Sequence, residues 1–279
     1  QRWIIIDGAL IEHAEHTLLE QFVHSNKISE YRNLFVGSTW QAVAEIGPVM
    51  LHYHPEIEAW AQAQRPWRFG LVFESGASSD ELVAHWHQLI TCQHLGLEGA
   101  LCRLYDGMVL YHLLNQEDAS RTATWLGPMT KIWLPDYVVE HYHYAERPEL
   151  EDAAPLAVTE FNDQEWQALS EAKRYATAYR LTQHVDQYFP DYWQDKDNKQ
   201  QHIIAQLKHL EVRGPVTQQD AIHYMNIVCR LGDIWQQNTP YTADVVALLE
   251  NQSVPMEERL QQVKQIATEY ENAQVNNRK

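Results

Sequence analysis

Histidine is the residue whose spacing first suggests chemistry in this chain. It recurs in EHAEH (Glu12–His16), MLHYHPE (Met50–Glu56), HWH (His85–His87) and EHYHYAE (Glu140–Glu146). Neutral imidazole is a zinc ligand, and a histidine pair with a third ligand and a bound water is the basis of metal-assisted hydrolysis. On a strand, residues two apart share a face, so His52 and His54 could reach one ion, with His141 or His143 as a third ligand. HWH sits in a helical pattern, where positions two apart point roughly 200° apart, so His85 and His87 do not easily share an ion. His13 and His16 lie three apart on one helical face, but the spacing is neither that of a zincin helix nor its inverted form. With 15 histidines in the chain, several close pairs arise by chance. Surface and edge histidines are therefore the better reading, and a metal-dependent hydrolase is the rival.

Other catalytic patterns are missing. There is no G-x-S-x-G elbow, no phosphate loop ending in G-K-[ST] and no G-x-G-x-x-G. RLYDG (Arg103–Gly107) offers an Arg and an Asp that could act on a phosphate. The stronger reading is an Arg on a strand, followed by Asp106 capping the helix that begins near Met108.

Composition narrows the classes. The 279 residues carry a net charge of −17, with 38 acidic against 21 basic side chains. Both halves share the acidic excess, so neither offers the basic stripe that nucleic acid needs. No apolar run approaches the length of a membrane span, and WIII (Trp3–Ile6) stops at Asp7, so it is no signal peptide as it stands. ERLQQVKQIATEYENA is amphipathic, but its polar face carries both signs, which fits a core-facing helix better than a membrane surface. The three cysteines, Cys92, Cys102 and Cys229, form no C-x-x-C pair, so neither a disulfide framework nor a thiolate zinc site is expected and a reducing compartment is the default. The 10 Trp and 14 Tyr outnumber 6 Phe, a bias toward side chains with an apolar body and a polar tip, suited to half-buried positions and interfaces.

The elements that must position these residues change in kind along the chain. The first half alternates strand-like runs (RWIIID, NLFVG, PVMLHYH, WRFGLVFES, ALCRLYDG, TKIWLPD) with helical ones. The helices are ALIEHAEHTLLEQFVHS, STWQAVAEIG opened by Ser38, PEIEAWAQAQ with Pro55 in its first turn, SSDELVAHWHQLIT capped by Ser79, and MVLYHLLNQ. The alternation predicts an α/β lobe over residues 1–145, with a mixed or parallel sheet flanked by helices. AERPELEDAAPLAVTEF reads as a linker, placed at 146–161. After it strand signals disappear, and the spacing predicts an all-α lobe of five helices over 162–279. Those helices open at Asn162 or Asp163 and at Thr217, and close near Gly214 and Gly232.

The order of motifs in the first half is IIIDGAL, LFVGSTW, EIGPVMLHY, WRFGLVFESGASSDELVAHWHQLITC, LCRLYDGMVLYHLL, WLGPMTKIWLPD. Over roughly Trp3 to Asp136 this series resembles a bacterial domain-of-unknown-function family of type VI secretion adaptor chaperones, often called Tap or TEC proteins. The matching positions are Asp7, Gly8, Gly37, Gly47, Pro48, Trp67, Arg103, Tyr105, Asp106, Gly127 and Pro128. They read as fold determinants rather than an active site. The family usually has Asp-Pro where this chain has Asp106-Gly107, a turn that glycine can also make. The resemblance implies a protein that is not an enzyme and needs no cofactor. It would bind a cognate toxic effector in the cytoplasm and help load it onto the VgrG spike, sometimes with a PAAR tip protein. It does not mark the effector-binding surface; exposed Trp and Tyr and the cleft between the lobes are expected to contribute. A structural component of the secretion assembly is the remaining alternative.

Overall fold

The computed structural model describes residues 1–10, 30–92, 100–149, 161–194, 198–235 and 240–277. The chain divides into two compact units, Gln1–Ala172 and Lys173–Lys279. Most of the stretch expected as a linker, and the helix expected around His13 and His16, lie outside the described residues.

The first unit contains strands β1 (Arg2–Ile6), β2 (Tyr31–Asn33), β3 (Val49–His52), β4 (Gly70–Ser75), β5 (Thr91–Cys92), β6 (Ala100–Leu101), β7 (Met129–Asp136) and β8 (His141–Glu146). Six of them form one sheet in the order β2-β3-β1-β4-β7-β8, while β5 and β6 pair separately. Every pairing is antiparallel, which corrects the expected parallel character. The reason is topological. Helix α1 (Pro55–Gln64) does connect two strands of the same direction, β3 and β4, as strand–helix alternation suggests. But β1 lies between them and runs the other way, so each neighbouring pair becomes antiparallel.

That central position explains the unbroken WIII run. Residues of a strand face alternate sides, and β1 is covered on both. Trp3 and Ile5 join Met50, Leu71, Phe73 and Ile132 on one face. This face packs under α2 (Ser79–Ile90), α3 (Gly107–Leu114) and α4 (Ala119–Leu126) through Leu82, Trp86, Leu110 and Trp125. Ile4 and Ile6 join Val49, Leu51 and Val72 on the other face, under Ile57 and Ala61 of α1.

Local chemistry sets the helix ends. Ser78, not Ser79, caps α2 and forms a capping box with Glu81; Ser79 is the first helical residue. The expected NLFVG strand is instead a turn, with strand structure ending at Asn33, whose Oδ1 accepts the Phe35 N–H at 2.9 Å. STWQAVAEIG forms only a 3-10 turn, Gln41–Ile46, and Ser38 holds the preceding bend by accepting the Trp40 N–H at 3.0 Å. ALCRLYDG contributes only the two residues of β6 before it turns.

Helix α5 (Asp163–Tyr188) begins in the first unit and ends in the second. Its start is fixed by Glu165, which is fully buried. Glu165 accepts hydrogen bonds from Arg121 Nε (2.5 Å) and Nη2 (2.9 Å), Trp125 Nε1 (2.9 Å) and the Asn162 N–H (2.7 Å). The second unit is helical, as the periodicity predicts, with α6 (Lys199–Glu211), α7 (Gln218–Leu231), α8 (Pro240–Glu250) and α9 (Met256–Asn277). Its core includes Leu181, Leu207, Tyr224, Val228, Leu249 and Val263. Thr217 and Asp220 form a capping box at the start of α7, and Gly232 ends that helix at φ 83°.

Candidate functional site

Among the described residues the histidine pairs do not converge. His52 lies at the end of β3, its ring 4.1 Å from that of Trp3 and its Nε2 3.3 Å from Glu30 Oε2. His54 has left the strand and caps α1, its Nδ1 accepting the Glu56 N–H at 3.2 Å. His141 and His143 share a face of β8, with rings 4.6 Å apart. His143 Nε2 lies 2.9 Å from Asp136 Oδ2, and its ring stacks on Tyr111 at 3.6 Å. Strands β3 and β8 are four sheet positions apart, about 19 Å at ordinary strand spacing, so one ion cannot bridge them. Among the described residues no group of three or more His, Cys, Asp or Glu is placed to hold a metal. His85 turns its Nε2 to the Trp125 carbonyl at 3.1 Å, and burial pushes its pKa down, which favours the neutral ring.

Most of the motif residues meet at one end of the sheet, where β1 leaves for Asp7. Asp7 is 1 % exposed. Its Oδ1 accepts the Ala9 N–H at 3.1 Å, its Oδ2 accepts from Arg103 Nη2, and its own N–H donates to the Phe69 carbonyl at 2.7 Å. Burial pushes the Asp7 carboxyl above its ordinary range, and the Arg103 charge only partly offsets this. Gly8 lies against Gly47, where an added Cβ would sit 2.3 Å from the Gly47 carbonyl oxygen. Pro48 accepts the Leu34 N–H at 2.9 Å. Tyr105 is buried edge-on to Phe35 and under the Arg103 guanidinium. Asp106 caps α3, accepting the Met108 N–H at 3.0 Å, as RLYDG suggests. The carboxylate that holds Arg103, however, is Asp7, 96 residues earlier. Local spacing carries no signal for such a pair.

The other motif positions lie elsewhere in the unit. Pro128 accepts from Ser75 Oγ at 2.7 Å, and Gly127 packs against the His85 ring. Gly37 sits in the turn after β2 with φ 75°. Trp67 follows α1 with φ 57°, donates its N–H to Gln62 Oε1 at 2.7 Å and meets the Tyr142 ring edge-on.

The feature most suited to a protein partner is β8, at the sheet edge. The Arg147 N–H donates to the Thr130 carbonyl at 2.9 Å, which fixes the alternation of the β7–β8 ladder. Ala145, His143 and His141 then bond to β7, while Tyr142, Tyr144 and Glu146 turn their N–H and C=O groups outward. Among the described residues nothing accepts from or donates to those outward backbone groups. HYHYAE also lacks the proline, lysine or bulge that commonly blunts an edge. Tyr144 is 49 % exposed, and its hydroxyl donates to Glu146 Oε1. The i, i+2 repeat of His and Tyr is a strand signal in EHYHYAE that attention to metal ligands hides.

The chain is similar to Accessory protein VasW of Vibrio cholerae serotype O1 (strain ATCC 39315 / El Tor Inaba N16961), at 25% identity over 239 residues, covering 82% of this chain and 75% of VasW. No solved structure matches it. Among the described residues no helix is long and apolar enough to cross a membrane. Residues 2–123, which include β1, the Asp7–Arg103 pair and the Asp106 cap, match the family described as Domain of unknown function (DUF4123).

Proposed function

We infer that the protein is an accessory protein of type VI secretion. Within that role it is an adaptor chaperone that binds a cognate effector in the cytoplasm and helps load it onto the VgrG spike. The observation that carries the reading is the pairing of two likenesses. The DUF4123 match falls on the stretch bearing the adaptor-like motif series, and the likeness to VasW extends over most of the chain. The open edge of β8 supports protein binding, because an added strand gains main-chain hydrogen bonds without requiring a preformed pocket. The separation of His52 from His141 and His143 by four sheet positions speaks against the rival reading, a hydrolase built on those residues.

The test is co-expression of the full chain with a candidate effector and a VgrG from the same genome, followed by affinity purification and size-exclusion chromatography. The expected result is a complex that contains the effector, with VgrG joining only when effector and adaptor are both present. A chain that retains VgrG equally well without the effector is a structural component instead. A chain that retains neither is not an adaptor.

A further inference from the structure

The side chains along the open edge of β8 select among the strands that could pair with it. In the β7–β8 ladder Tyr142, Tyr144 and Glu146 stand opposite Pro135, Trp133 and Lys131. Ile132 and Leu134 belong to the core under α2, α3 and α4, while Trp133 and Tyr142 pack against the core under α1. The three β8 residues whose backbone groups turn outward therefore send their side chains to the α1 face. In an antiparallel pair, a residue that exchanges both hydrogen bonds with Tyr144 sits about 5.5 Å away at Cα, with its side chain beside the Tyr144 ring.

That face already alternates rings with a cation. The Arg2 guanidinium lies 5.3 Å from the centre of the Tyr53 ring and 4.7 Å from that of Trp133, and it pairs with Glu74 at 2.9 Å. Beyond Trp133 comes the Tyr144 ring, 5.5 Å away, and the row stops there because β8 is the last strand. Tyr144 is 49 % exposed, and its hydroxyl donates to Glu146 Oε1. A carboxylate on the hydroxyl adds negative potential to a ring whose face already attracts cations. Exposed charge along the edge is mainly acidic, from Glu140, Glu146 and Glu149. Lys131 is engaged with Glu146 at 3.2 Å, and Arg147 turns to the opposite face, towards His85. An acidic strand would meet these carboxylates, and an apolar side chain beside Tyr144 would stay half in water.

We propose that the β8 edge takes an antiparallel strand of a partner protein with an arginine or lysine opposite Tyr144, its cation on the outer face of the ring and beside Glu146. This rests on β8 as the docking element of the adaptor reading, and it names the chemistry of the segment that β8 selects.

The test uses the full chain and a labelled hairpin peptide closed by an Asn-Gly turn, whose free edge alternates valine and threonine around one central arginine. Two counterparts carry glutamine or glutamate at that position, and fluorescence anisotropy gives the affinities. The arginine peptide is expected to bind at least about tenfold more tightly than the glutamine peptide, by a margin that shrinks as salt is raised, and the glutamate peptide least tightly. Tyr144→Leu keeps the outward backbone groups and should bring the arginine peptide down to the glutamine level. Glu146→Gln changes an exposed side chain, should also reduce the preference, and serves where Tyr144→Leu lowers the thermal transition. Equal binding of the arginine and glutamine peptides, a preference unchanged in both variants, or no binding of the arginine peptide up to about 5 mM overturns the proposal. A chain that retains an effector without any such preference loses the strand chemistry alone. A chain that prefers the arginine peptide but retains no effector keeps the strand site and loses the adaptor reading.

Discussion

Asp7 is an acid held almost entirely out of water, and one half-exposed guanidinium supports its charge. Its pKa is raised in the folded chain, so its contribution to stability is present below the ordinary carboxylate range and lost as pH rises through the raised value. Removing Arg103 raises that value further and leaves a buried acceptor without its donor. Arg103→Ala should therefore cost about 1–3 kcal/mol near neutral pH and less in acid, where Asp7 is protonated in both chains. Urea unfolding across pH checks this; a gap that stays constant or narrows toward high pH counts against the pair. Asp7→Asn in the Arg103→Ala background should recover part of the loss. Glu117 has the same sign. Burial, and then the Glu165 charge, push its pKa up to about 7 from 4.5. The folded chain thus keeps a proton through that interval which the unfolded chain has lost, and stability falls as pH rises across it. Glu117→Gln should leave stability nearly unchanged at about pH 5 and raise it at about pH 8, read from the same unfolding curves. A loss at the higher pH would show that the Glu117 carboxylate makes a favourable contact instead.

At the scale of elements, β8 has its inward and outward backbone groups on alternate residues, so single prolines can separate folding from docking. Tyr144→Pro removes an outward N–H and spares the β7 ladder. It should lower effector retention at least about tenfold while most of the stability is kept. His143→Pro removes an N–H that bonds to β7 and should lower stability directly. If Tyr144→Pro retains the effector fully, the edge is not the docking element. Elements were readable from sequence where a local pattern decides them. The WIII run marks a strand, Pro55 starts a helix, and Thr217 opens one. They were misread where neighbours decide. Leu34 and Phe35 are as apolar as a strand, but their burial comes from a turn pinned by Asn33. The antiparallel sheet depends on β1 entering between β3 and β4, and the Asp7–Arg103 pair on contact across 96 residues. Neither leaves a trace in local periodicity, whereas the β8 alternation is visible in EHYHYAE.

For the whole molecule, two compact units with separate cores follow one another, and a single helix, α5, passes through the boundary after Ala172. Units with their own cores can open separately, each with its own free energy, unless a continuous element makes them cooperate. Helix α5 could do so, but its two ends are held by different groups. Glu165 fastens its start to Arg121 and Trp125, and Leu181 and Val185 enter the second core. Leu207→Ala removes a fully buried side chain from that second core and should cost about 2–5 kcal/mol there. In hydrogen-exchange mass spectrometry, peptides from α6 and α7 should exchange faster in this variant. Peptides from β1 and β4, which belong to the first core, should keep their wild-type protection. Faster exchange in β1 and β4 to the same degree would mean that α5 couples the units into one cooperative structure. Opening the second unit alone would then be impossible, and a partner bound there would stabilise the sheet as strongly as its own helices.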